Sequence, residues 1–121
     1  MSWLLVAAGS AAGGICRWLL AGALQRPAFP AGTLAVNALG SLLVGWLAAR
    51  LGDAPSGPAA AARLLLVTGF CGGFTTFSAF SLETLRLAQE GRGARVLGYV
   101  AASLALGLGA VAAGWMLGRR H

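Results

Sequence analysis

Four apolar runs, residues 3–24, 31–49, 64–82 and 96–117, decide what this chain can fold into. Each is close to the ~20 residues that an α-helix needs to cross a bilayer. A helix of a soluble bundle carries a polar stripe at helical spacing, and these runs are apolar on nearly every face. The polar remainder, 25–30, 50–63 and 85–95, is too short for a second folding unit. The reading is an all-α integral membrane protein. It forms one four-helix domain over 1–121, with spans of about 3–24, 31–49, 64–88 and 96–117. The first run lacks a basic leader and is long for a signal core, so it reads as a span.

Within the third run, Gly69-Phe70-Cys71-Gly72-Gly73-Phe74-Thr75-Thr76-Phe77-Ser78-Ala79-Phe80-Ser81 is built from residues that make poor helix interiors. Each glycine costs roughly 1 kcal/mol relative to alanine in a helix, and the hydroxyls compete for backbone bonds. The sequence therefore predicts a third helix broken at mid-membrane depth. Backbone freed there is tolerated only where protein buries it or where it lines a wet path or holds an ion.

Charge is sparse and one-sided in kind: nine arginines, no lysine, three acids and a formal net charge of +6. No basic cluster interleaves with aromatics, so the arginines read as headgroup anchors and nucleic acid is not an expected partner. Across four spans, Arg50, Arg63, Arg119 and Arg120 fall on one side, and Arg26, Arg86, Arg92 and Arg95 on the other. Arginine excess normally fixes orientation, and here there is none. Dual insertion with antiparallel pairing of two copies is one reading; a single orientation fixed by the first helix is the other. Small residues four apart, at Gly9/Gly13, Ser41/Gly45 and Ala105/Gly109/Ala113, permit close helix packing within or between subunits.

Polar residues inside the runs are the candidates for chemistry. Thr33, Asn37 and Ser41 share one face of the second helix, and Tyr99 and Ser103 lie four apart on the fourth. The third adds Thr75, Thr76, Ser78 and Ser81 with the rings of Phe77 and Phe80. Three polar stripes rich in uncharged donors and poor in carboxylates imply a narrow hydrated track for an anion or a neutral species. Arg17 and Glu83 are the ionisable groups nearest membrane depth, and each needs a partner. The first and third helices run parallel, which brings a mutual Arg17–Glu83 contact within reach. Cys16 and Cys71 read as small buried hydrophobes, and a lone His121 leaves no side-chain metal cluster to assemble.

Three segments resemble the small fluoride channels of the Fluc/CrcB type. They are Gly13-Gly14-Ile15-Cys16-Arg17, then Pro30-Ala31-Gly32-Thr33-Leu34-Ala35-Val36-Asn37 with Gly40-Ser41, and the stretch ending Thr75-Thr76-Phe77-Ser78-Ala79-Phe80-Ser81 with Glu83. The resemblance implies an antiparallel dual-topology homodimer in the cell inner membrane. Its two pores would passively export cytoplasmic fluoride and confer fluoride resistance. It implies that Asn37 and Thr33 line the pore and that Phe77 and Phe80 offer ring edges to the ion. It also carries Tyr99, Ser103, Thr76, Ser78 and Ser81 as pore residues, with Arg17 and Glu83 near the vestibule. A central sodium ion would be held by the backbone carbonyls of Gly72 and Thr75 from both subunits. One departure is Ala79, where the family commonly has threonine.

Two other classes fit the residues less well. A four-helix antiporter for cationic compounds relies on a glutamate in its first helix, and here that helix carries Arg17 and no acid. A scaffolding subunit would account for the small residues and not for three polar stripes. No nucleophile–base pair can be assembled, so an enzyme is not expected.

Overall fold

The computed structural model describes residues 1–120; His121 lies outside them. It is all-helical in architecture, with four helices long and apolar enough to cross a membrane, Ser2–Leu24, Ala31–Leu51, Gly57–Gln89 and Gly93–Arg119, joined by short connections. The third of these starts at Gly57, well before the apolar run. Pro58 sits in the first turn, where its missing N–H costs nothing, and the alanines at 59–62 are the best helix formers.

That third span changes character along its length. From Leu64 to Cys71 the bonding widens to π-helix, a form usually confined to single turns and often found at functional sites. A short α-helical turn, Gly72–Phe74, follows. Thr75 and Thr76 are then extended, at φ −94°, ψ 157° and φ −150°, ψ 111°. The helix restarts at Phe77–Gln89, with the Thr76 hydroxyl accepting from the Ala79 amide at 3.1 Å as its cap.

Glycines set how the helices pair. The first helix lies parallel to the third span. A Cβ on Gly9 would meet the Gly69 Cα at 2.9 Å, and one on Gly13 would meet the Phe74 amide nitrogen at 2.9 Å. The second and fourth helices also run parallel, meeting where a Cβ on Gly45 would touch the Trp115 nitrogen at 3.0 Å and one on Gly114 the Trp46 nitrogen at 2.9 Å. Such backbone approach gives van der Waals contact that lipid cannot match. Gly9, Gly13 and Gly45 thus act inside the subunit, whereas Ala105, Gly109 and Ala113 are exposed on its surface. Cys71 is buried as expected, whereas Cys16 is exposed.

Candidate functional site

The extended pair at Thr75–Thr76 frees backbone groups, and Asn37 of the second helix takes two of them. Its Nδ2 donates to the Thr76 carbonyl at 3.1 Å, and its Oδ1 accepts from the Thr76 amide at 2.7 Å. An amide side chain carries its donor and acceptor on neighbouring atoms, and so can serve the N–H and C=O of one residue at once. The bond has a consequence upstream. In a continuous helix the Thr76 amide would serve Gly72 and the Ala79 amide would serve Thr75. Here those amides go to Asn37 and to the Thr76 hydroxyl, leaving the carbonyls of Gly72 and Thr75 without their helical donors. The Thr75 hydroxyl turns back to the Cys71 carbonyl at 2.9 Å. Gly72 is exposed, with open space where a Cβ would stand.

Beside this clamp lies an open hollow of about 390 Å³, bounded by Asn37, Ser41, Gly72, Thr75, Thr76 and Phe77. Phe77, the first residue after the interruption, is 79% exposed. Its ring centroid is 5.7 Å from that of Phe80, which in turn is 5.1 Å from Tyr99. Phe29 closes the row with an edge-on contact to Tyr99 at 5.5 Å. The tilted and edge geometries are those that aromatic quadrupoles favour.

At the far end of this aromatic row, three elements converge on Glu83. Thr33 Oγ1 donates to Oε1 at 2.9 Å and the Tyr99 hydroxyl donates to Oε2 at 2.9 Å. Gln25 adds a long contact to Oε1 at 3.4 Å while its own Oε1 accepts from the Gly32 amide at 2.9 Å. Tyr99 is fully buried and Thr33 nearly so. A second hollow, about 260 Å³, reaches this carboxylate past Arg17, Thr33, Thr76 and Ala79.

The expected Arg17–Glu83 contact does not form. Arg17 Nε donates to the Gly73 carbonyl at 3.0 Å. The interruption after Phe74 leaves that carbonyl without a helical amide, and it satisfies the guanidinium locally. Glu83 already has three side-chain donors, so it makes no ion pair among the described residues.

Other residues singled out by sequence fall at the edges of this arrangement. The Ser78 hydroxyl lies 3.2 Å from the Thr76 hydroxyl, and Ser81 donates back to the Phe77 carbonyl at 2.9 Å. Ser103 Oγ is buried with no hydrogen-bond partner within the subunit. Gln25 and Phe29 had no signal in sequence, since both lie in a connecting segment outside any polar stripe. Among the described residues no three of His, Cys, Asp and Glu gather as a metal cluster. A cation held here would rest on backbone oxygens, and the Gly72 and Thr75 carbonyls are of the right chemistry for sodium.

Comparison with known proteins agrees with the residues. A family model described as CrcB-like protein, Camphor Resistance (CrcB), matches residues 4–115. A protein of Bradyrhizobium diazoefficiens named fluoride-specific ion channel FluC 1 is 45% identical over 125 residues, covering 100% of this chain and 87% of the relative. One of Paracoccus denitrificans, named fluoride-specific ion channel FluC, is 50% identical over 121 residues, covering 98% and 94%. A third, FluC 2 of Haloarcula marismortui, is 53% identical over 89 residues, covering 72% and 68%. With this match running along nearly its whole length, the chain belongs to the CrcB family.

Proposed function

We propose that this chain is a fluoride-selective ion channel, not an enzyme, of the cell inner membrane. It passively exports cytoplasmic fluoride and so confers fluoride resistance. The relatives are named fluoride-specific ion channels. The observation that carries the reading to these residues is the Asn37–Thr76 clamp at the interrupted third span, beside an exposed ring. Fluoride is small, strongly hydrated and a hydrogen-bond acceptor, so a pore must replace its water with donors. Asn37 keeps one Nδ2 hydrogen free and the Thr76–Ser78 hydroxyl pair keeps one. Thr33, Tyr99 and Ser81 would turn from Glu83 and the Phe77 carbonyl to donate, Ser103 carries an uncommitted hydroxyl, and Phe77 and Phe80 supply ring edges. Arg17 lines the hollow toward Glu83 but is held by the Gly73 carbonyl, as suits conduction, which needs sites weak enough to leave. The membrane potential drives export, at about 2.3 kcal/mol per elementary charge per 100 mV.

The working unit in this reading is an antiparallel homodimer of dual topology, with the Thr75–Thr76 interruption near mid-membrane. The even split of arginines between the two sides favours it. So does the exposure of Phe77 and Gly72, which a second copy would cover. Gly72 and Thr75 carbonyls from both copies would then hold one sodium ion at the dimer centre. When bound, the ion supplies fixed positive charge that offsets the freed carbonyls and ties the subunits together. Arg17 and Glu83 shape the approaches to the pore, Arg17 by fixing the Gly73 carbonyl and Glu83 by orienting Thr33 and Tyr99.

The test in cells is growth on fluoride of a bacterium lacking its own fluoride exporter. Expression of this chain is expected to restore growth, and an Asn37→Ala variant to restore little. No restoration by membrane-inserted wild-type protein would contradict the proposal.

A further inference from the structure

The two ends of the subunit use their arginines differently. At the end formed by residues 25–30, Arg26 donates to the Leu24 and Gln25 carbonyls at 3.3 and 3.2 Å, and Arg95 to the Ala28 carbonyl at 2.9 Å. Arg92 pairs with Glu90 at 3.2 Å, which leaves Arg86 as the arginine there without a partner among the described residues. At the opposite end Arg63 pairs with Asp53 at 3.0 Å and donates to the Gly52 carbonyl at 2.6 Å. Arg50, Arg119 and Arg120 at that end have no carboxylate or hydrogen-bond partner among the described residues. Arg50 instead lies over the Trp46 ring, its guanidinium carbon 5.8 Å from the centroid.

Close helix packing gathers these cations. The second and fourth helices end side by side: a Cβ on Gly118 would stand 2.7 Å from the Ala49 Cβ. Arg50 and Arg119 are the next residues after that contact, one on each helix. Trp46 and Trp115 flank the same crossing, 41% and 44% exposed, and Met116 and Leu117 continue the apolar surface beside them.

We propose that this end of the second and fourth helices binds the phosphate headgroup of an anionic phospholipid. Guanidinium groups present a fork of donors matched to phosphate oxygens, and a stacked arginine keeps its N–H edge free to donate. Indole rings settle at the depth of the headgroups. The cations mark the headgroup, and the adjoining apolar surface of Met116 and Leu117 accepts an acyl chain, which free phosphate lacks. The proposal stands apart from the channel reading, because none of these residues belongs to the Asn37–Glu83 row.

The test is lipid binding by native mass spectrometry of the purified full chain, titrated with phosphatidylglycerol or phosphatidylcholine. Arg50→Gln, Arg119→Gln, Arg120→Gln and the triple variant are compared with Arg86→Gln. Each of the three is expected to weaken phosphatidylglycerol binding about fivefold, and the triple variant to lose preference over phosphatidylcholine. Arg86→Gln should bind as wild type does. Full phosphatidylglycerol binding by the triple variant, or equal binding of both lipids by wild type, would overturn the proposal. So would displacement of the lipid by inorganic phosphate. A second measurement keeps every arginine: in a Trp3→Phe, Trp18→Phe background, brominated phosphatidylglycerol should quench the fluorescence of Trp46 and Trp115 more than brominated phosphatidylcholine. Equal quenching by both would count against the site.

Discussion

Replacing Asn37 with alanine removes two hydrogen bonds at once, Nδ2 to the Thr76 carbonyl at 3.1 Å and Oδ1 from the Thr76 amide at 2.7 Å. Interhelical hydrogen bonds between membrane helices average only ~0.6 kcal/mol, because the partners find substitutes when one is lost. Thr76 is worse placed to do so. Its backbone is extended, and the neighbouring amide of Ala79 is already held by the Thr76 side chain. An orphaned buried group costs about 1–3 kcal/mol, so two would cost about 2–6 kcal/mol. The adjoining hollow of about 390 Å³ lets water reach both groups, which puts the expected loss near the lower figure. Denaturant unfolding in detergent would measure it, with fluoride efflux from liposomes alongside. Asn37→Asp keeps an acceptor for the Thr76 amide but sets a carboxylate oxygen against the Thr76 carbonyl, so its stability loss should be at least that of Asn37→Ala. Flux should still collapse, since the variant has lost the Nδ2 donor beside the interruption. An Asn37→Ala protein within about 0.5 kcal/mol of wild type and with full flux would refute the clamp.

Gly40→Ala should destabilise by about 1–3 kcal/mol, because its Cβ would run into the Thr75 methyl and stand 3.2 Å from the Phe74 ring. Gly14→Ala, with nothing within 4 Å, should be neutral or stabilising in the same thermal melt. Phe80→Ile should lower fluoride flux at least tenfold and leave the dimer intact by size-exclusion chromatography; wild-type flux would remove that ring from the pathway. Tyr99→Phe deletes the donor to Glu83 Oε2 and should cost about 1.5–3 kcal/mol on unfolding, with reduced flux. A tag on the C-terminus should be reachable from both sides of the membrane in about equal measure, and labelling from one side alone would refute dual topology.

The four spans were legible because a bilayer asks for long apolar runs, and little else in a sequence resembles them. The glycines and hydroxyls from Gly69 to Ser81 gave away a helix under strain, and the pairing of Asn37 with Thr76 gave that strain a partner. Convergence was harder to read. Thr33, Glu83 and Tyr99 come from three helices whose rotations depend on the Gly45 and Gly114 crossings, so no local spacing announces their meeting. The Arg17–Glu83 expectation failed for a related reason. It counted ionisable side chains as the available partners, whereas the interruption at Thr75–Thr76 had created a carbonyl at Gly73 that served Arg17 instead. Gln25 and Phe29 lay in a short connection where polar and aromatic residues are ordinary. Only the packing of that segment on Gly32 and Tyr99 gives them a place in the site.

The most direct measurement is ion efflux from liposomes containing the purified protein and loaded with potassium fluoride or potassium chloride, begun by adding valinomycin. The account predicts rapid fluoride release that depends on valinomycin, with chloride held back. Release of both anions, or no fluoride release from protein shown to be folded and dimeric, would contradict it.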